Sequence, residues 1–321
     1  MRVVLARGLF AHADPLEIAA IFGLGWNGRH RILAEDLGEA DAWIAARDAD
    51  VASATRLVLE ESLKADNTLP RGAEVRVVAG ATRWGDVPEL RMVDALDLLT
   101  EPLRIWVENS ASDRGFLWFV VGPELRKTLS NAERRGWLSV MMGGGGTLYA
   151  QIRRLRGPQE AGRRWRSWAM FDSDRLSAID RDAKSTRLET LCTRVLPGRF
   201  WALERRSIEN YLPVRTMALW AAEGGGAPSR KRLFDAWRVL PTDAAWYFNM
   251  KHGIRGDADH DRRAAAVWQG SLPTEQLHVL EGGFGEHVAD RFVNDDALRA
   301  GPDAAAQAEA TIHVDTLRGL L

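Results

Sequence analysis

The sequence has a single cysteine and no long apolar run. Cys192 stands alone among 321 residues, which excludes a disulfide framework and a zinc site built from several cysteines. The longest apolar stretches, such as GFLWFVVG, fall well short of the roughly 20 residues that a membrane-spanning helix needs. The N-terminal residues lack the apolar core and the small-residue cleavage site of a signal peptide. These absences predict a soluble, cytoplasmic protein without membrane contact.

Net charge is also nearly absent. The 43 lysines and arginines almost cancel the 44 acidic residues, so overall charge favours no class of partner. One local excess of positive charge precedes an apolar run, and it consists of Arg153, Arg154, Arg156, Arg163, Arg164 and Arg166. Such a patch can attract a polyanion, although a solvated surface gives the same pattern.

From residue 103 onward, short apolar runs alternate with helical patterns. The predicted strands cover residues 103–108, 136–142, 166–172 and 199–203. This alternation predicts an α/β fold with a mostly parallel sheet flanked by helices. Residues 1–100 predict an α+β extension that regulates the protein or binds a partner, with one helix over 39–65 and a strand at 75–80. Residues 256–321 predict a mainly helical C-terminal region.

Acidic residues follow several of these strands. Glu108 ends the first strand, Asp113 comes five residues later, Asp172 and Asp174 end the third, and Glu209 follows the fourth. Neighbouring parallel strands end at one edge of the sheet, where ligands bind in such folds, so we expect these carboxylates to converge there.

The spacing of the aspartate pair raises a specific question of charge. If the strand geometry continues through Ser173, Asp172 and Asp174 point to the same side of the chain. Their repulsion would be relieved by a divalent cation such as Mg²⁺, which prefers carboxylate oxygens. Asp is also common in turns and at helix starts, so the pair alone is compatible with a purely structural role.

Five segments in order resemble the TOPRIM module of topoisomerases, primases and OLD-type nucleases. They are IWVENSASDRGFL, MMGGGGTLYAQI, WAMFDSDR, LERRSIENYLP and WYFNMKHG, within residues 103–255. The first resembles a strand ending in Glu with an Asp shortly after, although Asn109 stands where the family has Gly. The third resembles the Asp-x-Asp motif of the family, and the fourth a stretch found in OLD-like effector nucleases of bacterial anti-phage systems. The resemblance implies a TOPRIM-like catalytic domain over residues 101–255.

The resemblance also implies a chemistry and residues that perform it. It implies a metal-dependent nuclease that cuts DNA or RNA with Mg²⁺ or Mn²⁺, as a pair of ions. The implied catalytic residues are Glu108, Asp172, Asp174 and Lys251, and the implied metal ligands are Glu108, Asp113, Asp172, Asp174 and Glu209. Nucleic acid would be bound by Arg153, Arg154, Arg163, Arg164 and Arg166.

The sequence has no P-loop, because GGGGTLYA lacks the Gly-Lys-Ser/Thr ending. The resemblance therefore implies a separate ATPase or sensor protein as partner. A nuclease that is always active would be toxic, so we expect restraint by this partner or by homo-oligomerisation.

Other interpretations remain open for the same residues. The chain could be an inactive TOPRIM-fold scaffold whose acidic residues pair with arginines, or a glycosyltransferase that holds a metal and a nucleotide sugar through Asp-x-Asp. Lys251 could be a solvated surface lysine, and Glu209 a carboxylate at the start of a helix. The four glycines at 143–146 could form a turn without a ligand, or allow a strand and a helix to approach closely beside the acidic residues.

Overall fold

The computed structural model describes residues 1–68, 73–109, 111–144, 146–180, 182–223, 228–255, 268, 272–293 and 301–321. The protein is an α/β protein with two four-stranded, all-parallel sheets flanked by helices, and a helical C-terminal region. Both sheets have the same order of strands: second, first, third, fourth along the chain.

The first sheet replaces the predicted α+β extension. Its strands are β1 (Arg2–Leu5), β2 (Arg31–Ala34), β3 (Glu74–Val77) and β4 (Glu89–Leu90), in the order β2-β1-β3-β4. Its helices are α1 (Leu9–His12), α2 (Pro15–Trp26), α3 (Leu37–Ala45), α4 (Ala49–Thr68) and α5 (Met92–Thr100). The single helix predicted over 39–65 is divided into α3 and α4. The break falls just before α4 at Asp48, a residue type favoured at helix starts.

The second sheet confirms the four strands predicted after residue 103. They are β5 (Leu103–Val107), β6 (Leu138–Met142), β7 (Ser167–Phe171) and β8 (Phe200–Ala202), in the order β6-β5-β7-β8. The helices between them are α6 (Ser112–Val120), α7 (Pro123–Arg134), α8 (Thr147–Arg154), α9 (Ala161–Trp165) and α10 (Ala183–Val195). β6 lies next to β5 on one side and β7 lies next to β5 on the other, so successive connections run in opposite directions from β5. The gap between the carboxyl ends of β5 and β7 is therefore the topological switch point, where α/β sheets bind ligands.

The C-terminal region packs against this second sheet. Its helices are α11 (Val214–Ala222), α12 (Pro228–Trp237), α13 (Thr242–Tyr247), α14 (Thr274–Leu280) and α15 (Ala304–Leu320). Gly115 in α6 marks a close contact between them: a Cβ added there would lie 2.5 Å from the backbone oxygen of Phe292. Among the described residues, no helix combines the length and the apolar character needed to cross a membrane.

Helix α15 reaches both halves of the protein. Near its start, the buried carboxylate of Glu309 accepts hydrogen bonds from Tyr211 Oη at 2.7 Å, from Trp201 Nε1 at 2.7 Å and from the backbone N–H of Glu204 at 2.8 Å. Near its end, the backbone oxygen of Gly319 accepts from the N–H of Ala73, directly before β3, at 2.8 Å. At 1.5 Å per residue, the helix axis between Glu309 and Gly319 covers about 15 Å.

Candidate active site

Glu108 and Asp172 come from neighbouring strands. Trp106 of β5 lies opposite Ala169 of β7, so continuing this register places Glu108 opposite Phe171 and next to Asp172. Paired strands are about 4.8 Å apart, so both residues enter the same small region at the switch point. The structure thus brings together the strand-end carboxylates that the sequence pattern predicted to converge.

The pKa of Asp172 shows how many carboxylates meet here. It is raised well above its ordinary value, first by burial and then by the charges of Glu108, Glu209, Asp113 and Asp174. These five side chains come from three segments of the chain, around residues 108–113, 172–174 and 209. They form a single electrostatic unit, which we call the acidic cluster.

Two further members of the acidic cluster have raised pKa values. Burial raises the pKa of Glu108 to about 7, with help from the charge of Asp174, while Lys184 acts in the opposite direction. Burial also raises the pKa of Asp113 to about 6, although the hydrogen bond from the Asn109 N–H, at 2.8 Å, lowers it. Protons are therefore retained near neutral pH at positions where isolated carboxyl groups would be ionised.

Asp174 is held in an unusual backbone conformation. Its φ of +50° makes it the single non-glycine residue with positive φ in the part of the chain that the structure describes. The extended geometry expected through Ser173 therefore ends at Asp174. The conformation is fixed by the Asp174 N–H, which donates to the Arg206 oxygen at 2.9 Å, and by Ser185 Oγ, which donates to Asp174 Oδ2 at 3.3 Å. Such strain costs about 1–3 kcal/mol and is concentrated at functional sites.

Glu209, a member of the acidic cluster, forms an ion pair with Lys251. The side chain of Glu209 is only 1% exposed, and its Oε1 lies 2.9 Å from Lys251 Nζ. Its Oε2 has no hydrogen-bond partner within the described ranges. Burial alone would lower the pKa of Lys251, but the charges of Glu209, Asp172 and Asp113 outweigh it and raise the pKa. Lys251 therefore stays charged, and a buried carboxylate oxygen remains available to another cation.

The glycine turn after β6 packs against the same edge. The Gly143 N–H donates to the Val107 oxygen at 2.7 Å, and a Cβ at Gly143 would lie 2.7 Å from Leu148 Cα. A Cβ at Gly144 would lie 3.1 Å from the backbone oxygen of Glu108. Gly145 lies outside the described residues. The close approach of strand and helix beside Glu108 therefore depends on residues without side chains.

The donor chemistry of the acidic cluster suits a hard divalent cation, because all of its ligand atoms are carboxylate oxygens. Over the described ranges, however, no three His, Cys, Asp or Glu side chains are already grouped so that they could hold a metal ion. Asp113 is occupied by the Asn109 N–H, Asp172 Oδ1 accepts from the Ile208 N–H at 3.1 Å, and Glu209 contacts Lys251. Side-chain rotations would be needed to gather these oxygens around an ion.

The arginines predicted to bind nucleic acid lie elsewhere. Arg153 and Arg154 are exposed at the end of α8, while Arg163, Arg164 and Arg166 directly precede β7. Since α8 runs back from the carboxyl edge and β7 starts at the amino edge, all five lie at the edge opposite the acidic cluster. The structure does not bring these two predicted groups together.

Two of these arginines have structural contacts that explain their position. Arg166 is 1% exposed and donates to the backbone oxygens of Leu320 and Glu101, and burial lowers its pKa to about 9. Arg164 donates to the Leu155 oxygen at 2.9 Å. Arg166 is therefore corrected from a surface phosphate contact to a buried residue that satisfies chain carbonyls, including one at the end of α15.

Apart from Lys251, the cations that act on the acidic cluster were missed. Lys184 acts on the charges of Glu108 and Asp174, and Arg206 acts on Asp174. Neither belongs to the arginine-rich stretch before β7, so that clustering did not indicate them. The available signal was proximity, because Lys184 follows the Asp-x-Asp pair within the same loop and helix start.

Comparisons with known proteins give no family for this chain. No protein-family model matches it, and neither does any curated protein or solved structure. Any role for the acidic cluster therefore has to be argued from its geometry and charges.

Proposed function

We propose that the chain is a metal-dependent nuclease that hydrolyses phosphodiester bonds of DNA or RNA, with a TOPRIM-like domain built on the second sheet. The observation that carries this proposal is the acidic cluster: five carboxylates at a topological switch point, with raised pKa values at Glu108, Asp113 and Asp172. Like charges held together below the surface are costly unless an opposite charge compensates them. A divalent cation, Mg²⁺ or Mn²⁺, supplies that charge most simply.

Each member of the acidic cluster has a role in this proposal. Glu108, Asp172 and Asp174 would hold the ions, and Asp113 and Glu209 would complete the ligand set. When bound, a pair of ions would activate water and stabilise the leaving oxygen of a phosphodiester. Lys251 keeps its charge beside Glu209 and is placed to interact with a phosphate whose negative charge increases during cleavage.

The biological setting belongs to the same proposal. The order of the five TOPRIM-like motifs favours an OLD-like effector nuclease of a bacterial anti-phage system. The sequence lacks a P-loop, so control by a separate ATPase or sensor protein, or by homo-oligomerisation, is part of the proposal.

The direct test is cleavage of DNA and RNA by purified protein with Mg²⁺ or Mn²⁺. Asp172→Asn and Glu108→Gln should each lower the rate by at least about 100-fold, the scale seen when a group that stabilises the transition state is removed. Asp180→Asn, in the same loop but outside the acidic cluster, is the matched control and should cut normally. Wild-type cleavage by Asp172→Asn would rule out the proposal.

The alternatives are distinguished by two further measurements, the heat of Mn²⁺ binding and turnover of nucleotide sugars. An inactive scaffold would show no heat of Mn²⁺ binding in calorimetry and no cleavage. A glycosyltransferase would bind Mn²⁺ but turn over nucleotide sugars and leave nucleic acid intact.

A further inference from the structure

Two basic residues of the segment that follows β7 have no ion-pair partner among the described residues. Arg175 directly follows Asp174, and Lys184 directly precedes Ser185, whose hydroxyl contacts Asp174. Within the described residues, neither side chain forms an ion pair or a hydrogen bond, and the Nε of Arg175 is buried without an acceptor. Lys184 acts on the charges of Glu108 and Asp174 without contacting either carboxylate, so its ammonium group can still bind a further anion.

The geometry of α10 favours the same conclusion. Lys184 is exposed in the first turn of this 13-residue helix, whose N-terminal end faces the loop that carries Asp174. The N–H groups of Lys184 and Ser185 donate to the Asp182 carboxylate, so this end attracts phosphate through the helix dipole and the charge of Lys184. A guanidinium such as that of Arg175 binds phosphate oxygens in pairs.

The arginine group at the amino edge is less suited to this task. Arg163 contacts Glu160 at 3.3 Å, and Arg164 and Arg166 are occupied by backbone oxygens. The five residues of β7 separate this edge from the acidic cluster by about 17 Å. A phosphate held there could not be adjacent to the bond that is cut.

We propose that Arg175 and Lys184 bind the phosphates that flank the scissile bond, so that the nucleic-acid backbone crosses the carboxyl edge of the second sheet at the start of α10. This inference rests on the proposed nuclease function and names the substrate contacts of that same site. Arg153 and Arg154, at the opposite edge, do not contribute to these contacts.

The test compares two double variants with the same change in charge. Arg175→Gln/Lys184→Gln removes the proposed contacts, and Arg153→Gln/Arg154→Gln is the matched control. Each is measured as a nuclease and, in a Glu108→Gln background, for binding of a labelled oligonucleotide by fluorescence anisotropy between 50 and 200 mM salt, conditions that resolve the counterion effect. Thermal unfolding confirms that the variants fold, and the single exposed change Lys184→Gln provides a second, milder perturbation.

The expected results are quantitative. Losing two phosphate contacts should flatten the slope of log affinity against log salt by about 1.8 for duplex or 1.4 for single strands, and weaken duplex binding about 30-fold at 0.15 M salt. KM should rise more than kcat falls, the control should match the wild type, and Lys184→Arg should restore binding lost in Lys184→Gln.

Three other outcomes would contradict the inference. If the wild type cuts nucleic acid but the Arg175/Lys184 variant keeps its KM and salt slope, this inference fails and the nuclease proposal stands. If the control variant loses more affinity, the amino edge is the binding surface and the inference is overturned. If the wild type neither binds nor cuts nucleic acid, both the proposed function and this inference are refuted.

Discussion

Replacing Glu108 with Gln should stabilise the metal-free protein at alkaline pH, although the same change should abolish activity. The pKa of Glu108 is raised from 4.5 to about 7, mainly because the carboxyl is buried and then because Asp174 and Asp113 are nearby. Between these two pH values the folded protein binds more protons than the unfolded chain. The free energy of unfolding therefore falls as pH rises through this window, and the full cost is present above about pH 7.

The size of the effect follows from the shift. A displacement of about 2.5 pH units corresponds to at most about 3.4 kcal/mol. Partial exposure of Glu108 and the shared titration with Asp113, whose pKa is raised to about 6, reduce this to about 1–3 kcal/mol. For 321 residues the entropy of unfolding is about 0.7 kcal/mol/K, so Tm should rise by about 2–4 °C.

Thermal and urea unfolding in EDTA at pH 8 and pH 5 would measure this gain. At pH 5 the folded protein keeps Glu108 protonated, so the advantage of Gln should shrink to about a quarter. Glu60→Gln, at an exposed position of α4, is the control and should change stability by no more than about 0.5 kcal/mol. An equal gain at both pH values, or no gain at pH 8, would refute the idea that the buried charge of Glu108 destabilises the folded protein.

Three other predictions test the site and its support. Mg²⁺ or Mn²⁺ at 100 times its Kd should stabilise the wild type by about 2.7 kcal/mol, and a melting shift of the same size in Asp172→Asn would contradict metal binding by the acidic cluster. Glu309→Ala leaves two buried donors, Trp201 Nε1 and Tyr211 Oη, unpaired and should cost about 2–5 kcal/mol in urea unfolding, whereas Asp315→Asn on the exposed face of α15 should cost little. Gly115→Ala should destabilise by at least about 1–3 kcal/mol, because its Cβ would lie 2.5 Å from a backbone oxygen, while Gly23→Ala, in open space within α2, should stabilise by about 0.5–1 kcal/mol. Equal effects of the two glycine changes would show that the close contact at α6 does not limit packing.

The second sheet could be predicted because its strands are separated by clear helical segments. β5, β6, β7 and β8 each form an apolar run followed by a turn and a helix, and this rhythm identifies parallel α/β units. The first sheet could not be recognised in the same way. β1 and β2 have four residues each and are largely buried, and such short apolar runs cannot be distinguished from pieces of a buried helix by periodicity.

The candidate site was predictable for its carboxylates but, apart from Lys251, not for its cations. Glu108 and Asp172 follow strands, and strand ends of a parallel sheet share an edge whatever the loops do. Whether a basic residue lies at the amino edge or at the carboxyl edge of the sheet depends on whether it directly precedes a strand or follows one. Arg166 therefore lies buried before β7, while the isolated Lys184 lies beside the acidic cluster.

The double attachment of α15 has a consequence for how the protein comes apart. Glu309 fixes the helix to the segment that leads to Glu209, and Gly319 fixes it to the residue before β3. Unfolding of α15 would break both attachments at once, so the two halves are thermodynamically linked and should melt in one cooperative transition. Slower hydrogen exchange caused by an ion or a substrate at the acidic cluster would then extend to amides of the first sheet, far from any direct contact.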